Sequence, residues 1–215
     1  MGSLMEIRRR MMQEDVLPPK YQRVEYITGS LRSYFDTGVA GNDNTLKIDL
    51  IYKAENMSAY APIVGNYDGN RNKNCWCLRQ NDNVKQISFL SNSSSFATNI
   101  GIMQFDVDTL LGKKVQAHFE YGELVCIVNG IEYSHTIREY SATTSEANIF
   151  VGNYPATVSY GTSHSFYSLR ITKQGKLIRN YIPCYRKSDN KAGMYDLVNH
   201  TFNPSTGAAD FIIPS

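Results

Sequence analysis

No stretch of this sequence approaches the roughly 20 consecutive apolar residues of a membrane-spanning helix, so no membrane insertion is expected. A dominant charge is also missing. Lys and Arg total 22 against 20 Asp and Glu, and a balance of +2 leaves no bulk electrostatic footprint for nucleic acid or an acidic membrane. Tryptophan occurs once and histidine four times, which leaves little material for a catalytic cluster of imidazoles. The opening MGSLMEIRRRMMQEDVLPP has charge but no apolar run and no small-residue cleavage site, and it reads as lacking a secretory signal. The four cysteines, Cys75, Cys77, Cys126 and Cys184, are then expected to be mostly reduced. Cys75-Trp-Cys77 sets two sulfurs on one strand face, but no histidine lies near and the spacing does not suit zinc, so no metal is expected there. The sequons at Asn56, Asn92 and Asn199 read as inert in a chain made in the cytoplasm.

What is present favours β structure. The chain holds 15 Tyr and 9 Phe with many Ile, Val and Thr, all suited to a pleated, half-buried surface. Between the apolar runs lie clusters of Asn, Ser, Gly and Thr, the residues that turns require. Tyr21 to Ile27 alternates as one strand, and Thr45 to Tyr52 puts Leu46, Ile48 and Leu50 on one face. Cys75 to Arg79 and Gln86 to Leu90 form a hairpin across Asn81-Asp-Asn83. Lys114 to Phe119, Glu123 to Val128 and Ile131 to His135 run in series, the last two joined by Asn129-Gly130, the strongest short signal for a type I′ turn. Strands over 148–151, 165–171 and 176–182 follow, with Gln174-Gly175 turning the last pair. About a dozen short strands at this spacing predict a two-sheet antiparallel sandwich. Val-Gly-Asn-Tyr occurs twice, at Val64 to Tyr67 and at Val151 to Tyr154, and predicts a similar strand exit at both places.

The N-terminus differs from the rest. Leu4, Ile7 and Met11 fall on one helical face, Arg8 to Arg10 occupy the remainder, and Pro18-Pro19 stop the pattern. We therefore expect residues 1–19 to form a helical tether with a proline linker and residues 20–215 to form one sandwich domain. A helix of about three turns is marginal alone. It needs a surface to cover its apolar face, whether its own sandwich, a second copy in a homo-oligomer, or a larger assembly. A frayed leader is the bland alternative.

Two end motifs carry a resemblance. Leu17-Pro-Pro-Lys-Tyr-Gln-Arg-Val-Glu-Tyr-Ile27, followed by Tyr34-Phe-Asp-Thr-Gly38, resembles an opening common in concanavalin A-like, LamG-type domains of gut bacteria and their phages. Ser168 to Thr172, Gly175 to Cys184, Gly193-Met-Tyr-Asp-Leu-Val198 and Phe202 resemble that group's closing strands, whereas residues 53–165 match only in strand pattern. The resemblance implies a jelly-roll sandwich with a short N-terminal helix. It also implies glycan or surface binding, or assembly into a phage tail, fibre or head decoration. Combined with the missing export signal, it favours a virion protein made in the host cytoplasm. The alternatives are a free bacterial lectin-like module at the cell surface or outside the cell, and a glycoside hydrolase.

The hydrolase reading lacks its residues. A retaining glycosidase needs two carboxyl groups about 5–5.5 Å apart, and the Glu-x-Asp-x-x-Glu strand of sandwich-fold glucanases is absent. Asp106 and Asp108 share a strand face but read as solvated or turn-capping, with Ca2+ ligation the lesser reading and no other cofactor expected. No Gly-x-Ser-x-Gly elbow occurs and His118, His135, His164 and His200 are scattered, so we expect a non-enzyme. Binding chemistry is better supplied. Sugar sites combine an aromatic platform with amides and carboxylates. Tyr67, Asp68, Asn70, Arg71 and Trp76 offer these in one stretch, and Asn153, Tyr154, Tyr160 and His164 in another. The two stretches would form one rim if the repeated tetrapeptide brought them to one end. The favoured reading of Trp76 and the strand tyrosines, however, is as core or sheet-face residues.

Overall fold

The alternating apolar runs over 34–40, 47–54 and 114–120 become strands with one more deeply buried face. The computed structural model describes residues 17–30, 32–56, 61–66, 75–81, 86–92, 102–104, 111–120, 123–136, 148–152 and 163–214. The first strands are β1 (Tyr21–Arg23), β2 (Ile27–Gly29), β3 (Tyr34–Ala40), β4 (Lys47–Ala54) and β5 (Ala61–Gly65). Then come β6 (Cys75–Asn81), β7 (Gln86–Asn92), β8 (Ile102–Gln104), β9 (Lys114–Glu120), β10 (Glu123–Val128) and β11 (Ile131–Thr136). The last are β12 (Asn148–Gly152), β13 (His164–Lys173), β14 (Lys176–Arg186), β15 (Lys191–Asp196) and β16 (Thr201–Pro204).

Two sheets pack face to face in a jelly-roll-like sandwich. The larger runs β11-β10-β9-β4-β13-β14-β15-β16, with β1 on β14 and β2 on β13, and the smaller runs β3-β12-β5-β6-β7-β8. Between them lies a core of inward side chains, including Ile48, Leu50 and Tyr52 from β4, Leu124, Cys126 and Val128 from β10, and Phe35, Ile63 and Trp76 from the smaller sheet. A second cluster sits on the outer face of the larger sheet, where Tyr21, Ile182, Cys184 and Tyr195 are covered by Leu17, Leu197 and Phe202. Asn129 (φ 53°) and Gly130 (φ 81°) make the expected left-handed turn, and Gln174 (φ 51°) and Gly175 (φ 75°) make another.

Three expectations need correction. The fold class is all-β without the short helix: the described residues hold strands, turns and bends only, and residues 4–15 lie outside them. Tyr21 to Ile27 is two strands, because β1 pairs with β14 and β2 with β13, and the chain steps between them at Val24-Glu-Tyr26. The repeated tetrapeptide does not lead to one rim. Val64 pairs directly with Val151 in the antiparallel β5–β12 ladder, so the two copies run in opposite directions where they leave the ladder at Gly65 and Gly152. The local geometry differs too, since Gly152 is left-handed at φ 100° and Gly65 is not.

Candidate functional site

Of the residues singled out for ligand binding, Trp76 and His164 are described, and both lie in the core. The Trp76 ring stacks on Phe119 with centroids 4.9 Å apart, and its Nε1 donates to the Gly41 carbonyl at 2.9 Å. Its backbone N–H donates to Asn66 Oδ1 at 2.8 Å, and the Asn66 N–H donates back to the Trp76 carbonyl at 3.0 Å. His164 lies between Tyr52 and Phe166, with ring centroids 6.2 and 6.1 Å away, and burial pushes its pKa down to about 4. Both rings are shut off from solvent. Tyr67, Asp68, Asn70, Arg71, Asn153, Tyr154 and Tyr160 lie outside the described residues, as do Asp106, Asp108, Leu4, Ile7 and Met11.

The outer face of the larger sheet gathers a group that sequence reasoning missed. Tyr167 follows inward Phe166 on β13 and so faces outward, and the register shift with β4 between Phe166 and Ser168 leaves Ser168 outward as well before Leu169 returns to the core. The step between β1 and β2 sets Tyr26 beside it, with ring centroids 5.2 Å apart at 47°. Lys114 Nζ lies 4.1 Å from the Tyr167 centroid and 2.7 Å from Glu25 Oε1. Lys53 Nζ lies 5.5 Å from the Tyr26 centroid and 2.9 Å from Glu55 Oε1. The Glu55 carboxylate also accepts from Ser165 Oγ, which meets Thr28 Oγ1 at 3.0 Å. Lys114 and Glu25 are 50% and 66% exposed, so their charges face solvent beside a half-buried pair of tyrosines. The Lys114 hydrogen bond holds the Glu25 carboxyl below its usual range, and burial raises the Tyr167 phenol. The alternation visible in Val24-Glu-Tyr-Ile27 places Tyr26 away from Ile27, but no local signal marks the bulge at Tyr167.

Further along the same face, paired residues form a polar row. Val125, His118, Asp49, Arg170 and Asn180 lie opposite one another on β10, β9, β4, β13 and β14. His118 Nδ1 meets Asp49 Oδ1 at 2.6 Å, and its Nε2 lies 3.8 Å from Glu120 Oε2. Burial alone would push the imidazole down, but the Asp49 hydrogen bond and the charges of Asp49 and Glu120 outweigh it and raise its pKa. Arg170 Nε donates to Asn180 Oδ1 at 3.2 Å. Cys77, Cys126 and Cys184 are free and buried, with thiols pushed up by burial to about 11, 12 and 12, far from nucleophilic at neutral pH. Among the described residues, no group of three or more His, Cys, Asp or Glu converges as a metal site, and no helix is long and apolar enough to cross a membrane.

No family model matches the chain, and no curated protein matches it. Solved structures do. Alginate lyase A1-II′, of polysaccharide lyase family 7, matches at 14% identity over 63% of this chain and 64% of its own, with a TM-score of 0.39. Mouse laminin α1 chain domains LG4-5 match at 17% identity over 72% of this chain and 44% of theirs, with a TM-score of 0.46. Scytalido-glutamic peptidase matches at 10% identity over 86% of this chain and all of its own, with a TM-score of 0.39. These are likenesses of fold alone. The expectation of a non-enzyme is corrected by the same comparison: lyases and a peptidase stand beside laminin domains, so this frame is compatible with enzymes.

Proposed function

We propose that this sandwich binds carbohydrate, and that the Tyr26–Tyr167 pair on the outer face of the larger sheet is its platform. The observation that carries the reading is the composition of that group. Two half-buried aromatic rings are fixed side by side, with solvent-facing Lys114 and Glu25 against them and Lys53 and Glu55 behind. Ring faces suit the apolar side of a sugar, and the ammonium and carboxylate groups can hydrogen-bond its hydroxyls. A glycan array followed by calorimetry on the best ligand tests it. Tyr167→Ala and Tyr26→Ala should each weaken binding roughly tenfold, the scale of one lost aromatic contact. An array with no ligand, or a ligand indifferent to both substitutions, overturns it. Loss of binding with Tyr67→Ala alone would move the platform to the stretch after Gly65.

The setting in which the sandwich works belongs to the same proposal. Its two end motifs resemble LamG-type openings and closings of gut bacteria and their phages, which supports display on a phage particle, with host-surface glycans as partners. Detection of the chain by mass spectrometry in purified virions is the expected outcome, and neighbouring genes without capsid or tail proteins would count against it.

A further inference from the structure

Lys53 and Lys114 lie directly opposite each other on β4 and β9, on the outer face of the larger sheet. Like charges in that position repel and cost a sheet stability. Here they stand beside the tyrosine pair, with Lys53 Nζ near the Tyr26 ring and Lys114 Nζ on the Tyr167 ring. Each ammonium pairs with one carboxylate among the described residues, and the two carboxylates are held differently. Glu55 accepts from both Lys53 Nζ and Ser165 Oγ, and the serine is tied to Thr28 Oγ1. Glu25 stands on the step between β1 and β2, and its carboxylate has Lys114 as its only hydrogen-bond partner among the described residues. That pair is open to exchange, since an ion pair exposed to water contributes little. The Tyr167 ring, 4.1 Å from Nζ, keeps a hold on the ammonium without it. The field there also comes from more than one lysine. The Glu25 carboxyl is held below its usual range first by the Lys114 hydrogen bond and charge, and then by the charge of Lys53.

Resting on the sugar platform proposed above, we propose that the site selects sugars that carry a carboxylate, and that Glu25 holds the place of that carboxylate on Lys114 until a ligand displaces it. The exchange breaks one exposed ion pair and makes another, so the ligand's charge costs little to bind. The new pair brings with it the apolar face of the sugar, which lies on the tyrosine rings. A neutral sugar has no group that replaces the Glu25 carboxylate, and it meets a Lys114 that is already engaged. Its hydroxyls offer neutral acceptors where the acid offers a charged one, and charge-assisted hydrogen bonds are about twice as strong. Lys53 adds to the attraction without giving up its own partner, because Glu55 is anchored by Ser165. The tyrosines set where the sugar ring lies, and Lys114 sets which ring is preferred.

The full chain is tested on an array of neutral hexose oligosaccharides and their uronate counterparts, each pair differing only in the oxidation of C6, with calorimetry on the strongest pair. The uronate should bind about tenfold tighter than its neutral counterpart, the scale of a charge-assisted hydrogen bond over a neutral one. Glu25→Gln removes the internal competitor and should raise that ratio a further threefold or about that. Lys114→Met should bring the ratio to about one, since the charge that tells the two sugars apart is gone. Unchanged emission from Trp76, packed in the core, would report that each variant still folds. Equal affinity for the two sugars, or a ratio that falls in Glu25→Gln, overturns this inference alone, and the platform stands if Tyr26→Ala and Tyr167→Ala still weaken both. Binding of neither sugar, or indifference to both tyrosine substitutions, overturns the platform and the preference together.

Discussion

His164 makes the fold acid-sensitive. Burial lowers its pKa to about 4, below the ordinary imidazole value of about 6.5, so the unfolded chain takes up a proton in that interval while the folded chain does not. Stability should therefore fall as the pH drops from 6.5 towards 4, by about 3 kcal/mol at the end of the window. His118 has the opposite sign. Its raised pKa gives a contribution complete below 6.5 and lost as pH rises through the folded value, so it does not mask the acid loss. Asp43, held at about 2 by hydrogen bonds from Thr45, and Asp189, held at about 2 by Arg186, lose their contributions only below about 4. Urea titrations across this range should find a shallower acid slope in His164→Phe. Asp196 matters for its hydrogen bonds. Wholly buried, it accepts from the amides of Asn180 and Val198 at 3.0 Å each and from Asn199 Nδ2 at 2.6 Å. Asp196→Ala strands those donors and should cost about 2–4 kcal/mol in equilibrium unfolding followed by Trp76 fluorescence.

Single elements show where backbone approach is tightest. A Cβ on Gly65 of β5 would sit 2.4 Å from the Trp76 carbonyl oxygen and 2.6 Å from Cys77 Cα on β6. Both are backbone atoms of the paired strand, so Gly65→Ala should force β5 and β6 apart and cost about 1–3 kcal/mol. Gly130 meets nothing within 4 Å, and its substitution by Ala should cost about 1 kcal/mol through its φ of 81° alone. Paired thermal melts of the two variants would rank them. The same contrast explains what the sequence revealed. Asn129-Gly130 was legible because a type I′ turn is a property of two adjacent residues, and β9, β10 and β11 were legible because each shows its own alternation. The step at Val24 and the bulge at Tyr167 were not, since each is imposed by a partner strand distant in sequence. Trp76 was ambiguous for a related reason: alternation shows that two faces differ, but only the packing on Phe119 shows which one is inside.

At the scale of the whole molecule, the two ends of the chain close on each other. Thr28 and Ile212 exchange backbone hydrogen bonds at 2.8 and 2.9 Å, and Phe211 packs edge-on to Phe35 and Phe166 in the core. A chain ending at Pro204 loses that aromatic contact and should be less stable by about 3–5 kcal/mol, measured by denaturant unfolding. The order of strands in the larger sheet has a consequence for how the molecule is made. β13 lies between β4 and β14, pairing with a strand more than a hundred residues earlier. On the ribosome, β9, β10 and β11 can pair as soon as they emerge, being close in sequence. The β4 edge that β13 will occupy has no native neighbour until the last quarter of the chain has been synthesised. A stall in translation anywhere between β11 and β13 would leave that edge open to other chains, and the yield of soluble protein should track the time spent there.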